Sequence, residues 1–191
     1  MLEGEHKTEG VPEDVPPVTY YAGSTPLDIP CYNKYYHAVA RSIRDEIKQT
    51  KPFERLSSEA AVSLMRTAAV MAHQADEILR PHGITGTQYN VLRILRGSIE
   101  GLCGRDVGER MVARVPDVSR LLDRLEQMKL IRRERDPNDR RHVTARITSA
   151  GLKVLEAATP ELEAFEERWF GRIERRRLKD VIEVLAEVRQ G

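Results

Sequence analysis

Residues 116–148 read PDVSRLLDRLEQMKLIRRERDPNDRRHVTARIT, and two different periodicities meet inside them. In the first half, apolar residues recur every three or four positions, as on the buried stripe of a helix: Val118, Leu121, Leu122, Leu125 and Met128. Pro116 is a favoured first helical residue and is expected to begin that helix. The second half holds two β-capable runs, residues 130–135 and 142–147, around a turn-rich segment, 136–141. We therefore expect a helix followed directly by a β-hairpin.

The face of this helix opposite the apolar stripe is polar. It carries Asp117, Ser119, Arg120, Asp123, Arg124 and Gln127. The first several of these are side chains able to hydrogen bond DNA phosphates or base edges. A short helix fits residues 104–111 just upstream, and two helices joined by a turn are typical of a helix-turn-helix. For this segment alone, a solvated face on an ordinary helix is the alternative.

The hairpin favours DNA binding because it is basic and follows the helix directly. Arg140 and Arg141 lie at its predicted tip, where a guanidinium can enter the negative potential of a minor groove. Asn138 lies in the same turn and is counted with them as a candidate DNA contact. Asp136 and Asp139 are expected to brace the loop by accepting hydrogen bonds from tip arginines or turn amides. We interpret the hairpin as the wing of a winged helix.

Amphipathic segments flank this unit on both sides. Upstream, apolar residues recur at helical spacing over residues 57–80, and Thr85 with Gln88 forms a capping box for the next helix. Downstream, two apolar stripes cover residues 149–190. Because so thin a lobe offers little core of its own, pairing of these helices with a second subunit is favoured over burial within the monomer. The expected fold is mainly α with a small β-hairpin wing, a winged helix-turn-helix with N- and C-terminal dimerisation helices.

The N-terminal 40 residues differ in composition from the rest of the chain. Residues 1–30 carry six Asp/Glu, one Lys and five of the ten prolines, so we expect disorder there. Two explanations stay open: a true extension that docks on a partner, or an upstream extension of the reading frame that is not translated. The folded domain is expected over residues 52–190, with a DNA-binding lobe at about 84–148 and dimerisation helices at about 57–80 and 149–190.

Composition excludes several classes of function. The formal net charge is only +1, but residues 101–148 carry twelve Lys/Arg against eight Asp/Glu, which makes this segment the candidate polyanion contact. There is no Gly-rich phosphate loop, and neither the five histidines nor Cys31 and Cys103 have metal-ligand spacing. We expect no enzyme, cofactor or metal. No signal peptide or membrane-spanning run is present in the sequence, so a cytoplasmic location is expected.

Four of these motifs together resemble the MarR family of bacterial transcription regulators. They are GTQYNVL at 86–92, DVSRLLDRL at 117–125, DPNDRR at 136–141 and ITSAG at 147–151. The resemblance covers about residues 52–190, and the wing is its most specific part. It implies a winged-helix homodimer that binds a pseudo-palindromic operator in double-stranded DNA, usually as a repressor. It also implies release when a small molecule or an oxidant alters the spacing of the DNA-binding lobes. By this match Ser119, Arg120 and Arg124 fall on the recognition helix, and Arg140 and Arg141 on the wing tip.

A small-molecule effector is expected where the first two helices meet the dimerisation helices, since that junction sets the lobe spacing. Candidate pocket residues are Met65, Met71, His73, Tyr89 and Trp169, with ordinary core packing as the alternative for each. Cys103, at the predicted start of the third helix, is either a small capping residue or an oxidant-sensitive thiol. The rival function for the whole chain is a winged-helix protein-interaction module that binds no specific DNA.

Overall fold

The computed structural model of the chain describes residues 42–135 and 143–190. The chain divides into two units between Pro52 and Phe53. In the described part of the first unit, helix α1 spans Ile43–Glu46, and the Ser42 side chain caps it by accepting the Asp45 N–H. The expected disordered extension, residues 1–40, and the expected wing tip, residues 136–141, both lie outside the described residues.

The described part of the second unit is mostly helical. Its elements are α2 (Leu56–Leu79), a 3-10 turn (Arg80–His82), α3 (Gly86–Arg96), β1 (Leu102–Cys103), α4 (Gly104–Arg110), α5 (Val118–Gln127), β2 (Ile131–Arg135), β3 (Val143–Ile147), α6 (Ser149–Phe170) and α7 (Arg175–Gln190). This order confirms the predicted fold, a mainly α winged helix-turn-helix with a small β-hairpin. None of the helices in this description is long and apolar enough to cross a membrane.

The three strands form one antiparallel sheet in the order β1-β3-β2. Strands β2 and β3 pair in register from Ile131 opposite Ile147 to Arg135 opposite Val143. Strand β1 is the third strand of the sheet and pairs Leu102 with Ala145 of β3. Because Ala145 is only 1% exposed, the base of the hairpin belongs to the core of the unit.

Two helix starts show how local hydrogen bonding fixes the boundaries. At α3 the predicted capping box is confirmed: the Thr85 hydroxyl accepts the Gln88 N–H, and the Gln88 side chain accepts the Thr85 N–H. At α5 the expectation that Pro116 begins the helix is wrong. The Asp117 carboxylate accepts the Arg120 N–H at 2.9 Å and therefore acts as the N-cap, so helical geometry begins only at Val118.

One hydrophobic core holds the helix-turn-helix, the sheet and α6 together. Its most deeply buried large side chains come from α2, α3, α4, α5, β2 and α6: Leu79, Val91, Leu92, Leu95, Val107, Leu125, Ile131 and Leu155. In α5 the predicted apolar stripe is confirmed, since Leu122 and Leu125 are buried while Val118, Leu121 and Met128 pack against the core from its edge. The polar face of α5 is thereby turned outward.

The junction between β3 and α6 is unusually tight. Thr148 caps α6 by accepting the Gly151 N–H, and its hydroxyl also donates to the Lys129 carbonyl at 2.8 Å. A Cβ added to Gly151 would lie 2.3 Å from the Leu130 carbonyl oxygen and 2.8 Å from a side-chain carbon of Ile147. The absence of a side chain at Gly151 therefore lets α6 start directly against the hairpin.

We predict that Gly151→Ala lowers the free energy of unfolding by about 1 to 3 kcal/mol, because the new methyl group has to displace backbone. The measurement is urea denaturation at a fixed protein concentration. Gly97→Ala is the matched control, since a Cβ there meets nothing nearer than 3.6 Å. Equal denaturation midpoints for the two variants would contradict the steric account of Gly151.

Candidate nucleic-acid interface

Helices α4 and α5 form a helix-turn-helix whose turn is held from behind by α3. The Asn90 side chain of α3 accepts the Val112 N–H of the turn at 3.0 Å. Just before the turn, the Arg110 guanidinium donates to the Ser98 hydroxyl at 3.1 Å. Together with burial of Val107 and Leu122, these bonds fix the direction in which α5 leaves the turn.

The outward face of α5 presents the three side chains that the sequence predicts as DNA contacts. Ser119, Arg120 and Arg124 are all exposed. Arg120 and Arg124 are one helical turn apart and so lie on the same side of the helix. The Arg120 side chain is 88% exposed and lies 3.4 Å from the capping carboxylate of Asp117. These side chains are available to a ligand outside the core.

The two carboxylates of α5, those of Asp123 and Glu126, are paired with an arginine of the hairpin. Arg133 of β2 donates through Nε to Glu126 at 2.9 Å and through Nη2 to Asp123, while its backbone N–H donates to Glu126 at 3.0 Å. The sequence pattern groups Asp123 with the polar DNA-facing residues. In the structure Asp123 pairs with the hairpin, because only the fold brings β2 within reach of α5.

The charge on Arg133 is stabilised by this pairing. Its hydrogen bond to the Glu126 carboxylate, helped by the one to Asp123, raises the pKa of the Arg133 guanidinium above its ordinary value, against the opposing effect of partial burial. One fixed cation is thus shared between two carboxylates. The Asp123–Arg133–Glu126 triad neutralises part of the negative charge of α5 and joins the helix to the hairpin.

Further exposed arginines lie on the elements next to α5 in the chain, beyond those predicted from the recognition pattern. Exposed guanidinium groups come from the first turn of α4, the turn before α5 and strand β2: Arg105, Arg114, Arg132 and Arg135. Their common signal in the sequence is the basic segment 101–148. The remaining predicted contacts, with the bracing aspartates, lie outside the described residues and stay predictions: Asn138, Arg140, Arg141, Asp136 and Asp139.

A small polar groove of about 120 Å³ lies between α3 and α6. Its lining residues are Tyr89, Arg93, Arg96, Thr159, Leu162, Glu163 and Glu166. The Tyr89 hydroxyl is 3.1 Å from the Thr159 hydroxyl, and the Arg93 guanidinium lies 5.9 Å from the Tyr89 ring centre. Arginines thus come from the α3 side and glutamates from the α6 side.

Of the five predicted pocket residues, the structure brings Tyr89 to this groove. Met65 and His73 are exposed on α2, and Met71 packs against the edge of the core. Trp169 donates through Nε1 to the Gln74 side chain at 3.0 Å and so links α6 to α2. A contact of any of the five with an effector stays a prediction.

Neither Cys103 nor a cluster of metal-ligating side chains forms a recognisable site within the described residues. Cys103 is half-buried and precedes the first residue of α4, where its side chain makes no capping hydrogen bond. Across residues 42–135 and 143–190, no three His, Cys, Asp or Glu side chains come together as metal ligands do.

We predict that Arg133→Met lowers the free energy of unfolding by about 1 to 2 kcal/mol, since it leaves two carboxylates on adjacent turns without their shared cation. Urea denaturation followed by circular dichroism measures the loss. Arg135→Met is the control, because it removes an exposed guanidinium from the same strand. A loss for Arg133→Met no larger than for the control would show that the triad contributes nothing to the fold.

Comparison with known proteins identifies the family. The model described as MarR family matches residues 82–142. The transcriptional regulator HosA of Escherichia coli O111:H- is 29% identical over 110 residues, which are 53% of this chain and 81% of HosA.

Two solved structures share the fold as well as sequence. The crystal structure of a MarR transcription factor from Planctomyces limnophilus is 32% identical, with a TM-score of 0.55, and the match covers 71% of this chain and 98% of that one. The S. aureus MepR–DNA complex is 26% identical, with a TM-score of 0.63, over 68% of this chain and 96% of MepR. The winged helix-turn-helix, its exposed basic face and these matches together show that the chain belongs to the MarR family of transcriptional regulators.

Proposed function

We propose that the protein is a homodimeric repressor of transcription that binds a pseudo-palindromic operator in the cytoplasm and is released by a small-molecule signal. As a member of its family it is a DNA-binding transcription regulator and not an enzyme. The observation that carries the proposal is the outward face of α5. There Ser119, Arg120 and Arg124 are exposed on a helix whose opposite face is fixed in the core.

In the proposed complex, α5 enters the major groove of DNA. Arg120 and Arg124 have the planar fork that bonds a guanine edge with two hydrogen bonds, and Ser119 can bond either a base or a phosphate. The hairpin lies beside the helix, where Arg140 and Arg141 contact the backbone or the minor groove. The solved complex of MepR with DNA supports DNA binding as such by this fold.

Helix α7 supports a dimer, because it is apolar along one side and yet no residue of it is buried within one chain. Its exposed large apolar residues are Val181, Ile182, Val184 and Val188. Phe170 and Ile173, just before α7, are also more than a third exposed. A second copy of the chain would cover this surface, and a two-fold dimer matches a pseudo-palindromic operator. We therefore assign α2, α6 and α7 to dimerisation and the segment from α3 to β3 to the DNA-binding lobe.

The groove between α3 and α6 is the best-placed effector site. It joins a helix of the DNA-binding lobe to a dimerisation helix, so a ligand that separates the two changes the lobe spacing. Its lining combines an aromatic ring, two hydroxyl groups and charges of both signs. An effector bound there would be small and polar, and would pair with the arginines of α3 or the glutamates of α6.

Sequence-specific DNA binding is tested by fluorescence anisotropy with a duplex from upstream of the coding sequence, against a scrambled duplex. If the dimer neutralises about six to ten phosphates, affinity falls by roughly 10³ to 10⁵ between about 50 and 200 mM salt. We predict that Arg124→Ala weakens specific binding by about 1 to 3 kcal/mol and reduces the preference over the scrambled duplex.

Two control variants isolate the role of Arg124 in this assay. Arg141→Ala is expected to weaken binding to both duplexes by the same factor, since a phosphate contact carries no sequence information. Arg66→Ala, which removes an exposed arginine from α2, is expected to leave the affinity for both duplexes unchanged. An equal loss on both duplexes for Arg124→Ala would refute its role in base recognition. A wild-type protein without any salt-dependent binding would instead favour the protein-interaction module.

We predict that Ile182→Glu converts the dimer to a monomer, because it places a charge on the surface that the second subunit covers. Ile182 is 64% exposed in one chain, so the change costs little within the monomer. Light scattering after size-exclusion chromatography measures the mass. Gln190→Glu introduces the same residue at an exposed polar position of α7 and is expected to leave the dimer intact. If the Ile182→Glu variant remains a dimer with unchanged affinity between its subunits, this face of α7 does not lie in the interface.

A further inference from the structure

Arg146 of β3 lies where three segments meet. Its guanidinium donates through Nη1 to the Ile99 carbonyl, in the loop between α3 and β1. Nη2 lies 3.7 Å from the Glu100 carboxylate of the same loop, and Nε lies 3.5 Å from the Glu134 carboxylate of β2. The side chain is only 28% exposed, so these contacts fill most of its surroundings.

The loop that Arg146 contacts is itself firmly attached to the sheet. Gly101 adopts a φ of +77°, and a Cβ there would lie 2.5 Å from Thr144 and 2.7 Å from the Ala145 carbonyl oxygen. The next residue, Leu102, pairs with Ala145 as part of β1. The Ile99 carbonyl is therefore a fixed acceptor and not the end of a loose loop.

The hairpin carries an arrangement of charge that needs this contact. Arg146 stands directly opposite Arg132 in the register of β2 and β3, and like charges in opposite positions destabilise a strand pair. Glu134 lies between them, with its carboxylate 3.0 Å from Nε of Arg132 and 3.5 Å from Nε of Arg146. The carboxylate of Glu134 is thus shared by both arginines.

Arg133 and Arg146 hold opposite faces of the same hairpin. Successive residues of a strand point to opposite faces, and cross-strand partners point to the same face. Arg146 and Arg132 therefore lie on one face, and Arg133 lies on the other, where it binds Asp123 and Glu126 of α5. One side of the hairpin is fixed to α5 and the other to the loop 97–101.

We propose that Arg146 is a positioning residue for DNA binding, which sets the tilt of the β2–β3 hairpin relative to α5 without touching DNA itself. The inference rests on the proposed function, because it assumes that the hairpin contacts DNA while α5 occupies the major groove. With both faces fixed, the hairpin and α5 meet the duplex as one rigid surface. Without the Arg146 contacts, the triad, the buried Ala145 and the pairing of β1 with β3 still hold the root of the hairpin. Its face away from α5 then loses the side-chain attachment to the loop 97–101, so the tilt of the hairpin varies.

The test compares the full-length wild-type protein with Arg146→Met and Arg146→Lys on the upstream duplex, in the same anisotropy assay. Met keeps an unbranched stem, and Lys restores a single donor. Arg146→Met is expected to bind about tenfold more weakly at fixed salt, which is about 1.4 kcal/mol. Arg146→Lys is expected to recover part of the loss. The salt dependence should stay as in the wild type, since no phosphate contact is lost.

A structural role alone would not produce that combination. Partly exposed ion pairs contribute about 1 kcal/mol or less, so the melting temperature and the dimer mass of Arg146→Met should match the wild type within a few degrees and within error. A salt dependence reduced by about one phosphate per subunit would show that Arg146 contacts DNA directly, and would overturn the proposal. Unchanged affinity would overturn it as well.

A second variant, Glu100→Gln, separates positioning from simple charge. Glu100 is 93% exposed, and removing an acidic group near DNA strengthens binding if charge alone matters. If Glu100 helps to hold Arg146, Glu100→Gln instead weakens binding about two- to threefold, and this weakening disappears in the Arg146→Met background. Glu109→Gln removes an exposed acid from α4, outside these contacts, and should not weaken binding.

The outcomes distinguish this inference from the function on which it rests. If the wild type shows no salt-dependent DNA binding, the proposed function and the role of Arg146 fall together. If the wild type binds and Arg124→Ala loses sequence preference while Arg146→Met binds normally, only the positioning role is wrong. Stronger DNA binding by Glu100→Gln would also overturn the positioning role of Arg146, and would leave the proposed function as a DNA-binding regulator unchanged.

Discussion

The recognition helix α5 is only ten residues long and fully buries just two of them, Leu122 and Leu125. A helix this short is marginal in water by itself, so its position has to come from its surroundings. The core supplies one side through α3 and α4. The hairpin supplies the other through Arg133, which binds one carboxylate on each of two adjacent turns. Everything that the outward face of α5 can do depends on this two-sided support.

The same support changes the electrostatics of the face. The whole chain is nearly neutral, with a formal net charge of +1, and α5 itself carries as many acidic as basic residues over Val118–Gln127. Because Arg133 is shared by both carboxylates of the helix, their negative charge is partly neutralised, while Arg124 and Arg120, the latter beside the capping Asp117, are exposed on the outward face. Attraction to a polyanion therefore arises from how the charges are paired, and the net charge gives no sign of it.

Much of the fold could be predicted from local patterns. The stripe of α5, the two β-capable runs and the capping box at Thr85 each reflect neighbours along the chain, and the structure has all three. Strand β1 was beyond such reasoning because two residues show no alternation. The start of α5 was misplaced because a capping carboxylate at Asp117 determines the boundary more strongly than the preference of Pro116 for a first turn.

The candidate site was predictable only in part, because several of its side chains are defined by contacts between distant segments. Periodicity places Ser119, Arg120 and Arg124 on the outer face, and there they are exposed. It cannot tell that Asp123 belongs to Arg133, ten residues away and on another element. It also cannot separate Tyr89, which lines the groove, from Met65, which is 71% exposed, since both continue an apolar helical stripe.

The close start of α6 against the hairpin has a mechanical consequence. Thr148 follows the last residue of β3 and is hydrogen bonded to Lys129 and Leu130 at the other root of the hairpin, so strand and helix share one joint. Thr159, in the groove, lies eight residues beyond Gly151 on the same helix, which is about 12 Å of continuous α-helix. Over these residues α6 is unbroken, and Pro160, whose ring nitrogen cannot donate to the Glu156 carbonyl, comes directly after Thr159. A group that binds against Thr159 would therefore act on the root of the hairpin through about two turns of helix, which end where one backbone hydrogen bond is missing.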